Sequence, residues 1–248
     1  MALLAVSAFV AAAIQATTGI GFALVLGPVL FALLDPVPAV AVLTALGIAL
    51  NLLVLAGERR RPRVAWGEVG PMLAAAAPGA AIGVVVLRAL PKPALQLGVG
   101  LAVVGAVVVQ LAVRPSPNAA PGDPRARLAL GFASGTLATS AGVTGPPIAL
   151  WLARRGLRPA EVRDSLSAAF LGLGLIGAVV LAPVVAGGVD VSPWALVAGL
   201  ACVVAGHAAG SRAFARLHEA RYQPLLLACV LVAGLASAAA GVVGLSAT

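Results

Sequence analysis

The sequence predicts an all-α polytopic membrane protein built as two inverted repeats, each a broken-helix hairpin followed by three transmembrane helices. Three observations lead there. The 248-residue chain is 61% hydrophobic and 10% charged, with a mean hydropathy of +1.09, whereas a soluble domain averages about 45–50% apolar and about 25% charged residues. So few charges cannot coat a water-facing surface. Two of its apolar runs are interrupted by glycine. Finally, the two halves match each other at an offset of 123–128 residues, while the basic loops change sides between them.

A bilayer core of about 30 Å needs about 20 apolar residues per helix. The apolar runs cover 2–34, 36–56, 66–87, 94–113, 128–152, 164–186, 192–211 and 223–245. Run 2–34 is too long for one helix and is broken at Thr17-Thr18-Gly19-Ile20-Gly21. Run 128–152 is broken at Thr139-Ser140-Ala141-Gly142-Val143-Thr144-Gly145-Pro146-Pro147. Glycine and proline interrupt helices, and unpaired backbone at membrane depth persists only where protein or water satisfies it. Both breaks are therefore expected to line a cavity. The first run has no basic n-region, since the first basic residue is Arg59, and reads as a retained membrane segment rather than a signal peptide. The predicted organisation is a first transmembrane repeat over 1–113, a Pro-rich cytoplasmic linker over 114–127 and a second repeat over 128–248.

The duplication rests on collinear matches. Gly19-Ile20 pairs with Gly142-Val143, Pro36 with Pro159, Thr44 with Ser167, Trp66 with Trp194, and Gly79 and Gly83 with Gly206 and Gly210. Such repeats recur in secondary transporters. Loop 57–63 carries Arg59, Arg60, Arg61 and Arg63, while its counterpart 186–191 holds only the acid Asp190. Loop 34–39 holds only Asp35, while its counterpart 153–163 carries Arg154, Arg155, Arg158 and Arg163. The swapped bias argues for inverted topology. Inversion needs an odd number of crossings per half, which follows if each broken run turns back to its own side before three full spans. With both termini outside, every basic residue except Arg88 and Lys92 then faces the cytoplasm, as expected for a multi-pass protein of the cytoplasmic (inner or plasma) membrane. The net charge of +8 is thereby explained without nucleic acid. Cys202 and Cys229 lie in apolar runs and read as free packed thiols.

A helix restarting inside a membrane presents unpaired N–H groups and a partial positive charge, which attract an anion. The expected binding site therefore comprises Thr17, Thr18, Gly19 and Gly21 from the first break and Thr139, Ser140, Gly142, Thr144, Gly145 and Pro146 from the second. Backbone N–H groups would carry most of the recognition. Asn51, in the middle of its run, serves either this site or helix–helix contact. Thr44 and Ser167 either line the site or bond to their own i−4 carbonyls. His207 is the candidate for proton coupling, or else a packed hydrogen-bonding residue. Asp164 beside Arg163 reads as an interfacial ion pair, and Glu68 as interfacial. Gly79-x-x-x-Gly83 and Gly206-x-x-x-Gly210 read as close-packing faces. Gly172-x-Gly174-x-x-Gly177 matches the dinucleotide fingerprint by letter but lies inside an apolar helix with no preceding strand. Without a Walker sequence, a metal-ligand pattern or a catalytic side-chain set, no enzyme, cofactor, metal or ATP-driven transport is expected.

The stretch Gly131-Phe132-Ala133-Ser134-Gly135 leading to Gly142 and on through Gly145-Pro146-Pro147 resembles the second-half signature of the sulfite exporter TauE/SafE family, where G-F-x-x-G precedes a Gly-rich break and often G-P-P. Gln15 to Leu33, with Gly19, Gly21 and Pro28, is similar to the family's first-half stretch, although members often show a run of glycines where this chain has Thr17-Thr18-Gly19-Ile20-Gly21-Phe22. The resemblance spans nearly the whole chain. It implies secondary transport of a small anion, often sulfur-containing, such as sulfite, a sulfonate or a sulfoacetate-like organic acid. The substrate would sit near the midplane, with one repeat rocking against the other. An anion channel would use the same breaks as a filter, and a non-transporting membrane scaffold would hold no ligand there. The partners expected are the anion, the bilayer and, compatibly, further copies of the chain.

Overall fold

The computed structural model of the chain describes residues 2–57, 61–112, 123–143, 145–188, 191–216 and 219–246. Among them all regular structure is helical: α1 (Ala2–Thr18), α2 (Phe22–Leu33), α3 (Pro36–Ala56), α4 (Trp66–Ala89), α5 (Lys92–Ala112), α6 (Pro124–Ala141), α7 (Gly145–Ala153), α8 (Pro159–Val185), α9 (Pro193–Arg216) and α10 (Glu219–Ser246). Among the described residues four stretches, Pro36–Ala56, Trp66–Ala89, Pro159–Val185 and Pro193–Ala213, are long and apolar enough to cross a membrane. Thr144, Asp190 and most of the 114–127 linker lie outside the described residues.

Both anticipated breaks are present. The first falls between Thr18 and Phe22, with φ at +81° in Gly19 and +122° in Gly21. Only glycine adopts such angles without steric cost. The second break is narrower than the sequence suggests. Thr139, Ser140 and Ala141 stay helical, and the helix ends at Gly142 in a left-handed cap with φ +71°. Pro146 and Pro147 do not interrupt anything. They fall in the first turn of α7, where a missing N–H is of no consequence.

Packing contacts fix the helix directions. Gly206 lies against Phe9 and Gly210 against Ala13, so α1 and α9 run the same way. Leu46 meets Gly199, and Gly57 at the end of α3 meets His207, so α3 runs with them. Since α1 and α3 are parallel, α2 must run back between them. Its 12 residues span about 18 Å, too little for a bilayer core of about 30 Å. Between the halves, Gly131 packs on Met72 and Gly135 on Ala76, and Leu73 packs on Gly172. The Ala65 N–H donates to Ser165 Oγ at 2.9 Å. Helices α4, α6 and α8 are therefore parallel, and nine-residue α7 runs back. Ile48 meets Gly174 and Thr44 meets Gly177, so α3 and α8 cross antiparallel. Gly100 with Ala238 and Leu97 with Gly241 make α5 and α10 antiparallel too. Exchanging the halves converts the α4–α6 pairing into α9–α1 and returns α3–α8 and α5–α10 to themselves.

Basic segments gather at one end. Glu68 accepts from Trp151 Nε1 at 2.7 Å and pairs with Arg155 at 3.3 Å and Arg127 at 3.7 Å. The Arg63 N–H donates to Asp164 Oδ2 at 2.8 Å. At the opposite end Lys92 Nζ donates to the Leu34 carbonyl at 3.1 Å. Arg163 and Asp164, at the start of α8 near the basic end, are packed between helices, each only 2% exposed. Large apolar side chains such as Trp194 and Val179, 78% and 73% exposed, cover the outside instead.

Candidate functional site

The two breaks approach each other inside the bundle. An added Cβ on Gly145 would lie 2.7 Å from Ile20 Cδ1, so the first break covers the start of α7. Beside this contact, at the α3–α8 crossing, is a small void of about 40 Å³, part of it continuous with the exterior. Helix α3 supplies Leu43, Thr44, Gly47, Ile48 and Asn51, the i, i+3/i+4, i+7 stripe that shares one helix face. Helix α8 supplies the equivalent stripe Phe170, Leu173, Gly174 and Gly177. The remaining wall comes from Gln15, Phe22 and Ala23 at the first break and Ala138 and Gly142 at the second.

A relay of carboxamides forms the polar wall. The Phe22 N–H donates to Gln15 Oε1 at 3.1 Å, Gln15 Nε2 donates to Asn51 Oδ1 at 2.9 Å, and Asn51 Nδ2 donates to the Gly47 carbonyl at 2.7 Å. Gln15 and Asn51 are 4% and 3% exposed. Gln15 thus caps the start of α2 from within the same hairpin. Thr44 makes no hydrogen bond among the described residues, and Ser167 Oγ, one stripe position below Phe170, is fully buried and unpartnered among them. No charged side chain lines the void, and no group of metal-binding residues occurs among the described residues.

Of the residues predicted from sequence, Asn51 and Gly142 line this void, and so does Thr44. Gly19 lies against Arg163, and Gly21 against Ile14. The Thr17 hydroxyl is engaged with the Ala13 and Gly210 carbonyls, and the Thr139 hydroxyl with those of Ala80 and Gly135, so both tie helices together. Ser140 is buried on α6 outside the lining. Thr144 and the side chains of Thr18, Pro146 and Cys229 lie outside the described residues. His207 is away from the void, against Gly57, with Nδ1 buried and unpartnered among the described residues.

Sequence reasoning missed Gln15 and Arg163. Gln15 is a lone carboxamide one turn before a break, at the one place where a side chain can reach the N–H groups of the restarting helix. Arg163 Nη1 donates to the Ala16 carbonyl at 3.2 Å, at the negative end of α1. The signal was its place on the same α8 stripe as Ser167, Phe170, Gly174 and Gly177.

The family model described as sulfite exporter TauE/SafE matches residues 4–237 of the chain. No curated protein and no solved structure matches it.

Proposed function

The chain belongs to the sulfite exporter TauE/SafE family, a family of membrane transporters, and from that membership we propose that it is a secondary carrier that moves a small anion through the void between its two broken helices. The observation that carries this reading is the void itself. It is bordered by residues at both breaks, and its polar wall offers carboxamide N–H donors with no carboxylate among its lining residues. Anions are favoured where preorganised donors face a low-dielectric space.

The antiparallel crossing of α3 and α8 supports an inverted-repeat reading, in which residues 1–113 and 128–248 rock about this crossing and open the void to one side at a time. The clustering of Arg63, Arg127, Arg155 and Arg158 at one end supports a cytoplasmic placement of that end in the cytoplasmic membrane. Proton coupling through His207 is part of the proposal. Its half-buried imidazole, carried by α9, packs against Gly57 at the end of α3, a helix of the other half, so its charge state can bias their packing.

Counterflow in proteoliposomes tests this. Labelled sulfite or a sulfonate should accumulate transiently against unlabelled anion, saturably, and a Gly142→Leu variant that still inserts should lose it. Accumulation driven by a pH gradient should fail in His207→Ala. Non-saturable flux without counterflow would replace the carrier by a channel, and full activity of Gly142→Leu would remove the site.

A further inference from the structure

We propose that the Gln15–Asn51 carboxamide pair is the donor group for the ligand, and that the one-sided polarity of the void selects a singly charged anion with a short apolar tail. The inference deepens the carrier reading and rests on it for the void being the transported ligand's site.

The orientation of both amides is fixed by chemistry at the two ends of their relay. The Phe22 N–H can only donate, so Gln15 must turn its oxygen to it. Gln15 therefore presents nitrogen to Asn51, which must answer with oxygen. Asn51 is left with nitrogen toward the Gly47 carbonyl, which can only accept. Reversing either amide would set donor against donor or acceptor against acceptor. Each amide nitrogen carries two hydrogens, of which the relay engages one. Two N–H groups, one from Gln15 and one from Asn51, remain beside the void, and both amide oxygens already accept. The pair offers donors, which suits an anion.

The opposite wall lacks this chemistry. At the repeat offset of 123 residues, Gln15 corresponds to Ala138 and Asn51 to Gly174, and both of those also line the void. With Phe170 and Leu173 they make that side apolar. Among the described residues no cationic side chain lines the void, so the compensation offered by its wall comes from N–H dipoles. A second buried charge without a cation is strongly disfavoured. A sulfonate or carboxylate headgroup fits the amide side, and a short alkyl chain fits the other.

Gly47 gauges the tail. It lines the void, and a Cβ added there meets nothing within 4 Å. Side chains placed at 47 therefore fill ligand space without displacing protein.

The test uses the full chain in nanodiscs, titrated calorimetrically with methanesulfonate, propanesulfonate and sulfate. Both alkanesulfonates should bind at least about tenfold more tightly than sulfate. Gly47→Leu should weaken propanesulfonate by about tenfold more than methanesulfonate, and Asn51→Leu should weaken both. Should Asn51→Leu fail to fold, the Gly47→Leu chain-length dependence decides alone. Sulfate binding as tightly as the alkanesulfonates, or Gly47→Leu leaving the chain-length preference unchanged, overturns the inference. Proteoliposome flux separates it from the carrier reading: labelled sulfite counterflow that alkanesulfonates do not inhibit overturns only this inference, whereas tight alkanesulfonate binding with no counterflow of any anion overturns only the carrier.

Discussion

At Gly142, φ of +71° places the backbone where an L side chain costs about 1–2 kcal/mol, and an added Cβ would also lie 2.6 Å from Leu43 Cδ1. Gly47, on the same void, has ordinary helical backbone and open space where its Cβ would go. Alanine in a helix interior is favoured over glycine by up to about 1 kcal/mol. Substitutions of the same kind should therefore have opposite signs: Gly142→Ala lowers the thermal midpoint of the purified protein, and Gly47→Ala leaves it unchanged or raises it. Circular dichroism melts in detergent read both, and equal losses would mean that the left-handed cap is not what terminates α6. Asn51, Thr44 and Gly142, which line the void, could be singled out in the sequence because a polar or helix-breaking residue stands out inside an apolar run. Gln15 could not, because its importance depends on a distance in space to Phe22 and Asn51 that no pattern of 3.6 encodes. The burial of Arg163 was not legible because a charge near the start of a span is ordinarily solvated. Here the small residue Gly19 leaves room beside it and the end of α1 offers a carbonyl.

The two hairpins were legible as elements because loop charge and run length agree. The second run has to turn back if Arg127 and Arg154 on either side of it are to share a face. Its placement followed from glycine, whereas its boundaries depended on local chemistry: Thr139 and Ser140 remain helical, and Pro146, Pro147 and Pro159 begin helices rather than end them. The hairpins make a definite claim about sidedness. Arg61 and Arg158 line one surface recess at the basic end, while Arg88 is in the last turn of α4, at the other. Cysteines at 61 and 158 should react with a membrane-impermeant maleimide from the same side, and a cysteine at 88 from the opposite side. Labelling of 158 together with 88 would mean that α6 and α7 cross the membrane as one broken span.

At the scale of the whole molecule, the pairing of helices is alike in the two halves but the chemistry of the void is not. Pairings α1–α9 and α4–α6 are equivalent under exchange of the halves, and α3 crosses α8 on the line where the halves meet. Any rocking of one half on the other must therefore displace α3 relative to α8. An added Cβ at Gly174 would lie 2.8 Å from Ile48 Cγ1, which brings the two β-carbons near the separation a disulfide requires. An Ile48→Cys, Gly174→Cys double variant should oxidise readily and pin the crossing. If transport proceeds by alternating access, the oxidised protein is inactive in proteoliposomes and reduction restores counterflow, while neither single variant changes its activity between oxidising and reducing conditions. A pore needs no such displacement, so undiminished flux through the oxidised double variant would show that the crossing is static and that the breaks act as a fixed filter.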